Sequence, residues 1–169
     1  MSGDGSVLKG RVWVFGDDVN TDVIFPGRYL HIFEPEQMAK HAMEDLDPAF
    51  AKNVKPGDVI VAGKNFGCGS SREQAAACLR AAGIQAVVAK SFARIYFRNA
   101  INLGLAVLQC EEASDALRTG DEVEIDFAGG KIVSGRHVFK FFPLPDSVIG
   151  IIEAGGLIEF TKRKLASGG

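Results

Sequence analysis

A mixed α/β fold is what this sequence predicts, and three observations carry the prediction. Short apolar runs of strand length alternate with longer stretches of helix formers, glycines close several of those stretches, and a Gly129-Gly130 pair separates two runs suited to a hairpin. The chain has 169 residues, 47% of them apolar, enough for one good core, so a single domain over 1–169 is expected.

Each element has its own reason. Val7 to Phe15 alternates well enough for a first strand, and Asp17 to Gly27 is a polar loop ending in Pro26-Gly27, with an Asx turn at Asn20 or Asp22 leading out of the strand. Glu34 to Asp45 carries helix formers, and Met38, His41, Ala42 and Leu46 make a weak apolar stripe for packing on the core. Asp58 to Ala62 reads as a short buried strand. Ser71 to Ala82 reads as a helix closed by Gly83, and Ile84 to Ala89 as the next strand. Ser91 can cap a helix from Phe92 to Asn102, closed by Gly104, before a strand from Leu105 to Leu108. Gly120 to Phe127 and Lys131 to Phe141 flank the hairpin turn, whose glycines permit the positive φ it needs. Pro145 to Ala154 and Leu157 to Leu165 are two short helices split by Gly155-Gly156, and the last few residues are expected to fray.

Charge and cysteine usage narrow the function classes. A formal charge of -2 gives no reason to expect nucleic acid or an anionic membrane as partner. Phe92, Tyr96 and Phe97 interleave with Arg94 and Arg98, and in such a chain they fit an amphipathic helix packed on the core or a partner better than base stacking. No apolar run approaches the roughly 20 residues of a membrane span, and Met1 to Gly5 lacks a basic start followed by an apolar stretch, so a cytoplasmic protein is expected. Cys68, Cys78 and Cys110 are too few and scattered for a disulfide framework, and no Cys-x-x-Cys occurs, so no metal site held by this chain is expected. Cys78 and Cys110 read as buried apolar side chains, Cys68 as a small residue in a tight turn, and His41 and His137 as helix-face and strand-face residues.

Two polar clusters carry the chemistry. Gly63-Lys-Asn-Phe-Gly-Cys-Gly-Ser-Ser-Arg72 delivers two serines and an arginine into a helix start, where unpaired N–H groups and positive partial charge favour anions. Ser70 with Glu73, or Ser71 with Gln74, also fits a capping box that merely satisfies those N–H groups. An arginine at the positive helix end nevertheless asks for a compensating anion, and a planar guanidinium grips a carboxylate through two bonds. The second cluster, Gly16 to His31, contains Asp17, Asp18 and Asp22 at a spacing that fits no calcium loop, followed by Arg28 and His31 in a loop able to present cations.

Together the clusters resemble a known family. Asn20-Thr21-Asp22-Val23-Ile24, Gly27-Arg28-Tyr29-Leu30, Gly63 to Glu73 and Phe97-Arg98-Asn99-Ala100-Ile101-Asn102-Leu103-Gly104 are similar, in order and spacing, to the small subunits of 3-isopropylmalate dehydratase in the aconitase superfamily. The resemblance implies a swivelling β/β/α domain, a mixed or barrel-like sheet flanked by helices, with a mobile substrate loop at about 26–36. It implies a hydro-lyase of leucine biosynthesis that works with a large subunit, as heterodimer or heterotetramer, the [4Fe-4S] cluster being on that subunit and no cofactor on this one. The substrate implied is a small hydroxy-dicarboxylate. By resemblance Ser70 is the general base, Ser71, Arg72 and Arg28 bind substrate carboxylates, and Asp22 orients the network.

The reaction class is consistent with these residue types on physical grounds. Removing a proton beside a carboxylate needs a strong base and strong anion stabilisation, and a serine alkoxide is conceivable only where helix N–H groups and cations lower its pKa. Specificity is expected in Tyr29, Leu30, His31 and Ile32. Relatives with arginine at the position of His31 tend towards carboxylate-bearing substrates and those with apolar residues towards isopropylmalate; His31 departs from both, while Ile32 and Phe33 add apolar surface. Isopropylmalate is the favoured reading, with homocitrate or another alkyl-malate as the alternative, and a non-enzymatic dicarboxylate-binding module as the alternative of another class.

Overall fold

Direction of pairing divides the sheet in two. The computed structural model describes residues 7–166, in which strands β1 (Val7–Val14), β2 (Val59–Ala62), β3 (Ala86–Ala89), β4 (Ala106–Gln109), β5 (Glu122–Asp126), β6 (Lys131–Ser134) and β7 (His137–Lys140) form one sheet. Their order is β4-β3-β2-β1-β5-β6-β7. The first four are parallel, with Val12 opposite Val59, Ile60 opposite Val87 and Val87 opposite Val107; from β1 to β7 pairing is antiparallel.

Burial follows that division. β2 and β3 read Val-Ile-Val-Ala and Ala-Val-Val-Ala and are buried throughout, as parallel strands covered on both faces must be. Ile60, Ala62, Val87 and Ala89 point into one core, and Val59, Val61, Ala86 and Val88 into the other. The first core is closed by helices α1 (Thr21–Ile24), α2 (Pro35–Ala39), α3 (Phe50–Asn53), α4 (Glu73–Ala81) and α5 (Arg94–Asn102). In the second core Ile125, Ile132 and Phe139 of the antiparallel strands lie with Val88 and Leu108, so the sheet curls until its own hairpins cover its other face. α6 (Glu111–Ala116), α7 (Asp146–Ala154) and α8 (Leu157–Ala166) complete the described chain. The mixed α/β class expected from the sequence and the mixed sheet flanked by helices that the resemblance implies are what is seen, and no helix of the described residues is long and apolar enough to cross a membrane.

Several elements differ in extent, each for a physical reason. The helix expected over 34–45 ends at Ala39; Met43 adopts φ 59°, its N–H donates to Ile24 O at 2.8 Å and its side chain is fully buried, so a tertiary bond overrides a weak stripe and Leu46 is left exposed. α4 begins at Glu73 instead of Ser71, and α5 at Arg94 instead of Phe92, with no side-chain cap on either. Ser91 Oγ accepts from the Asn65 N–H at 2.8 Å instead of capping α5. The strand expected over 131–141 folds at Gly135, φ 58°, into β6 and β7. α3 and α6 were not anticipated, nor was α1, a single helical turn inside the stretch 17–27 expected to be a loop. The two C-terminal helices divide at Gly155, φ 90°, as the glycine pair suggested, while the expected fraying lies in 167–169, outside the described residues.

Candidate functional site

The two polar clusters are laced together by backbone hydrogen bonds. Beyond β1 the chain runs beside the loop that follows β2: Gly63 N–H donates to Gly16 O (3.0 Å), Asp18 N–H to Lys64 O (2.8 Å), Gly67 N–H to Val19 O (2.8 Å) and Thr21 N–H to Cys68 O (2.8 Å). Asp17 Oδ1 accepts from the Lys64 N–H at 2.7 Å, and Asp18 Oδ1 from Asn65 Nδ2 at 3.2 Å. Asp17 and Asp18 therefore serve loop structure. The Asx turn expected at Asn20 or Asp22 is replaced by longer bonds: Asn20 Oδ1 caps α1 by accepting from Val23 N–H at 2.8 Å, and Asp22 Oδ1 accepts from Gly27 N–H, five residues on, at 2.9 Å.

Close approach explains two of the loop glycines. A Cβ on Gly63 would stand 1.8 Å from Asp17 Oδ1, and one on Gly67, φ 84°, would stand 2.2 Å from the Tyr96 ring. Tyr96 is itself buried in an aromatic cluster with Phe66, and Phe92 and Phe97 join it edge-on, so the aromatics of α5 pack on the core.

Ser70 and Ser71 stand exposed at the start of α4, and buried Thr21 fixes the first of them by donating its hydroxyl to Ser70 O at 2.7 Å. Neither capping box forms. Arg72 occupies the N-cap position with extended backbone (φ -136°, ψ 112°), which leaves the first turn without a side-chain cap. The anion that Arg72 called for is Asp22: Nη1 lies 2.7 Å from Asp22 Oδ1 and also donates to Phe25 O at 3.1 Å. The side chain of Arg72 is 18% exposed and that of Asp22 64%, so the pair faces outward from the loop. The Arg72 bond, then the Gly27 N–H, hold the Asp22 carboxyl below the usual carboxylate range.

Arg28 points elsewhere. Its guanidinium lies 2.6 and 3.0 Å from the two Asp45 carboxylate oxygens and 2.7 Å from Glu44 Oε2, over the Tyr29 ring. Glu44 also receives the Tyr29 hydroxyl at 2.7 Å and lies 2.9 Å from His41 Nδ1, and the His41 and Tyr29 rings stack with centroids 3.7 Å apart. The His41 and Tyr29 bonds lead in pulling the Glu44 carboxyl down to about 2. Leu30 and His31 are exposed and Ile32 is half-buried against the first core, with Gln74 Nε2 donating to Leu30 O (2.8 Å) and Ile32 O (3.0 Å).

A cavity of about 220 Å³ opens beside the loop, lined by Thr21, Ser70, Ser71, Arg72, Tyr96 and Asn99 among others. A larger groove, about 760 Å³, lies between β1, β5 and Lys55, mixes basic and acidic side chains, and contains none of the expected site residues. The chemistry-bearing residues single out the smaller one. Thr21 and Asn99 received no role from the sequence, although both stand inside the motifs that drew attention. Cys68 is half-buried, while Cys78 and Cys110 are buried and their thiols are pushed up by desolvation. Among the described residues no three His, Cys, Asp or Glu side chains converge as metal ligands would.

Comparison with known proteins follows the same lines. The aconitase C-terminal domain model matches residues 17–113. A 3-isopropylmalate dehydratase small subunit 1 of Archaeoglobus fulgidus is 57% identical over 155 residues, 90% of this chain and 96% of that one. An isopropylmalate/citramalate isomerase small subunit of Methanocaldococcus jannaschii is 50% identical over 163 residues, 95% and 97% of the two chains. A crystal structure of 3-isopropylmalate dehydratase from Methanocaldococcus jannaschii superposes with a TM-score of 0.89 at 48% identity, covering 96% of this chain and 98% of that one.

Proposed function

We propose that this chain, which belongs to the 3-isopropylmalate dehydratase small-subunit family of the aconitase superfamily, is the small subunit of a hydro-lyase that interconverts 2- and 3-isopropylmalate in leucine biosynthesis. The observation that carries the reading is the convergence of Ser70, Ser71 and the Asp22–Arg72 pair at one uncapped helix start beside a cavity. In this proposal Ser70 Oγ takes the proton from the carbon beside a substrate carboxylate. The helix N–H groups and the Arg72 guanidinium stabilise the alkoxide and then the charge that develops on that carboxylate. Ser71 and Arg72 hold carboxylate oxygens, Asp22 keeps Arg72 extended towards them, and Arg28 adds a second cation once it turns from Glu44 and Asp45.

The large subunit completes the site. It carries the [4Fe-4S] cluster, which when bound supplies Lewis acidity to the leaving hydroxyl. Every role assigned to this chain concerns the proton and the carboxylates. Tyr29, Leu30, His31 and Ile32 shape the pocket for the substituent that distinguishes one alkyl-malate from another. The name of the Methanocaldococcus jannaschii relative, which pairs isopropylmalate with citramalate, favours a broader alkyl-malate range as a second reading.

Co-expression with a large subunit, anaerobic cluster reconstitution and absorbance of the alkene intermediate test the proposal with 3-isopropylmalate, citramalate and homocitrate. Turnover of the first, lost by at least about 10²-fold in Ser70→Ala, is the expected result for a lost general base. Intact turnover in Ser70→Ala would remove the serine from the mechanism, and preference for homocitrate would overturn the substrate.

A further inference from the structure

We infer that Gln74 is a positioning residue that tethers the specificity loop to α4, the helix that follows Ser70 and Ser71. The consequence for substrate rests on the function proposed above, whereas the tether itself does not. Gln74 lies in the first turn of α4, two residues after Arg72. Its amide nitrogen has two protons, and it spends one on Leu30 O at 2.8 Å and the other on Ile32 O at 3.0 Å. The two carbonyls bracket His31, so the backbone of that residue is gripped from both sides while its side chain stays exposed.

Ile32 also packs on the first core, but the remaining backbone hydrogen bonds of this segment are short-range. Leu30 N–H donates to Gly27 O and Ile32 N–H to Tyr29 O, which close a turn without placing it. Among the described residues the hydrogen bonds that join residues 30–33 to a distant element are those from Gln74. The capping box that would have employed Gln74 on its own helix does not form, so its amide is free for this task. Because α4 is a rigid rod, movement of the loop carries to Ser71 and Arg72, and a substituent seated against Leu30 to Ile32 is registered against the carboxylate-binding end of the site.

Gln74→Ala removes both donors, and Gln74→Glu sets an acceptor against two carbonyl oxygens. Hydrogen exchange on the chain alone reads the tether: amides of residues 30–34 should exchange about tenfold faster in Gln74→Ala and faster still in Gln74→Glu, with amides 77–81 unchanged. In the reconstituted complex, KM for 3-isopropylmalate should rise about fivefold and the ratio of kcat/KM between 3-isopropylmalate and citramalate should shift, with kcat within about twofold of the parent. Unchanged loop exchange in both variants overturns the tether, as does equal loosening of α4. A fall in kcat at constant KM and constant substrate ratio overturns the positioning role. Should the parent complex turn over neither alkyl-malate, the functional reading fails and the exchange data alone decide the tether.

Discussion

At the scale of single residues, Arg72 joins an observed structural task to the substrate grip proposed for it. Its Nη1 is committed to Asp22 at 2.7 Å and to Phe25 O at 3.1 Å, which fixes the guanidinium while the proposed grip on substrate uses its other donors. Lysine keeps the charge but is a point donor without that fork. Arg72→Lys should therefore lower kcat/KM by about tenfold to hundredfold, the scale of a lost charged hydrogen bond, while the melting temperature of the isolated chain hardly moves. Steady-state kinetics beside a thermal melt check this, and a full retention of kcat/KM would deny Arg72 any planar grip on substrate. The charge partner itself could not be read from the sequence. An arginine at a positive helix end asked for an anion, and a bound carboxylate was the one expected, Asp22 entering only through the family resemblance as the residue that orients the network. Only the lacing of Gly67 and Thr21 to the opposite loop brings Asp22, 50 positions away, into reach. The same lacing makes Thr21 and Asp17 structural anchors, roles invisible without knowing which loops meet.

At the scale of elements, segments were readable where periodicity and punctuation agreed. β1, β3, α4 and α5 lie within two or three residues of expectation, since buried strands read as unbroken apolar runs and helices stop at Gly83 and Gly104. Residues 34–46 resisted because their shape answers to Arg28 and Ile24, not to local propensity. Here Glu44 collects Arg28, Tyr29 and His41, and its carboxyl is pulled from 4.5 to about 2. A lowered carboxyl pKa stabilises the fold fully above the unfolded value and ceases to do so as protonation sets in. The contribution is thus present above pH 4.5 and fades as pH falls towards about 2. The melting temperature of the parent should exceed that of Glu44→Gln near pH 6, and the gap should close across that acid window. Melts followed by circular dichroism at stepped pH measure it, with a pH-independent gap telling against a titrating Glu44. Because the turn is about a third exposed at Glu44, solvent screening keeps the effect small.

At the scale of the whole molecule, the site lies where a parallel sheet places it. Phe15 to Thr21 follows β1, Gly63 to Arg72 follows β2, and Lys90 to Ala93 leads from β3 into α5 with Tyr96 and Asn99, so three adjacent strands all contribute at their C-terminal ends. β5, β6 and β7 give nothing to that cavity; they seal the other face of the same strands. Core substitutions in the two halves should consequently differ in kind. Ile132 of β6 is fully buried in the second core, and Ile132→Ala should cost about 2–5 kcal/mol of stability while leaving kcat per folded complex unaltered. Phe66 is fully buried inside the loop itself, packed edge-on against Tyr96, and its N–H donates to Ser91 O at 3.0 Å. Phe66→Leu leaves a smaller side chain beneath Gly67, so the serines lose their backing and kcat should fall along with stability. Urea unfolding of each variant, paired with turnover at a temperature where the folded fraction exceeds nine-tenths, separates the two effects. A drop in kcat for Ile132→Ala under those conditions would mean that the antiparallel half shapes the site through the curl of the sheet instead of merely closing its core.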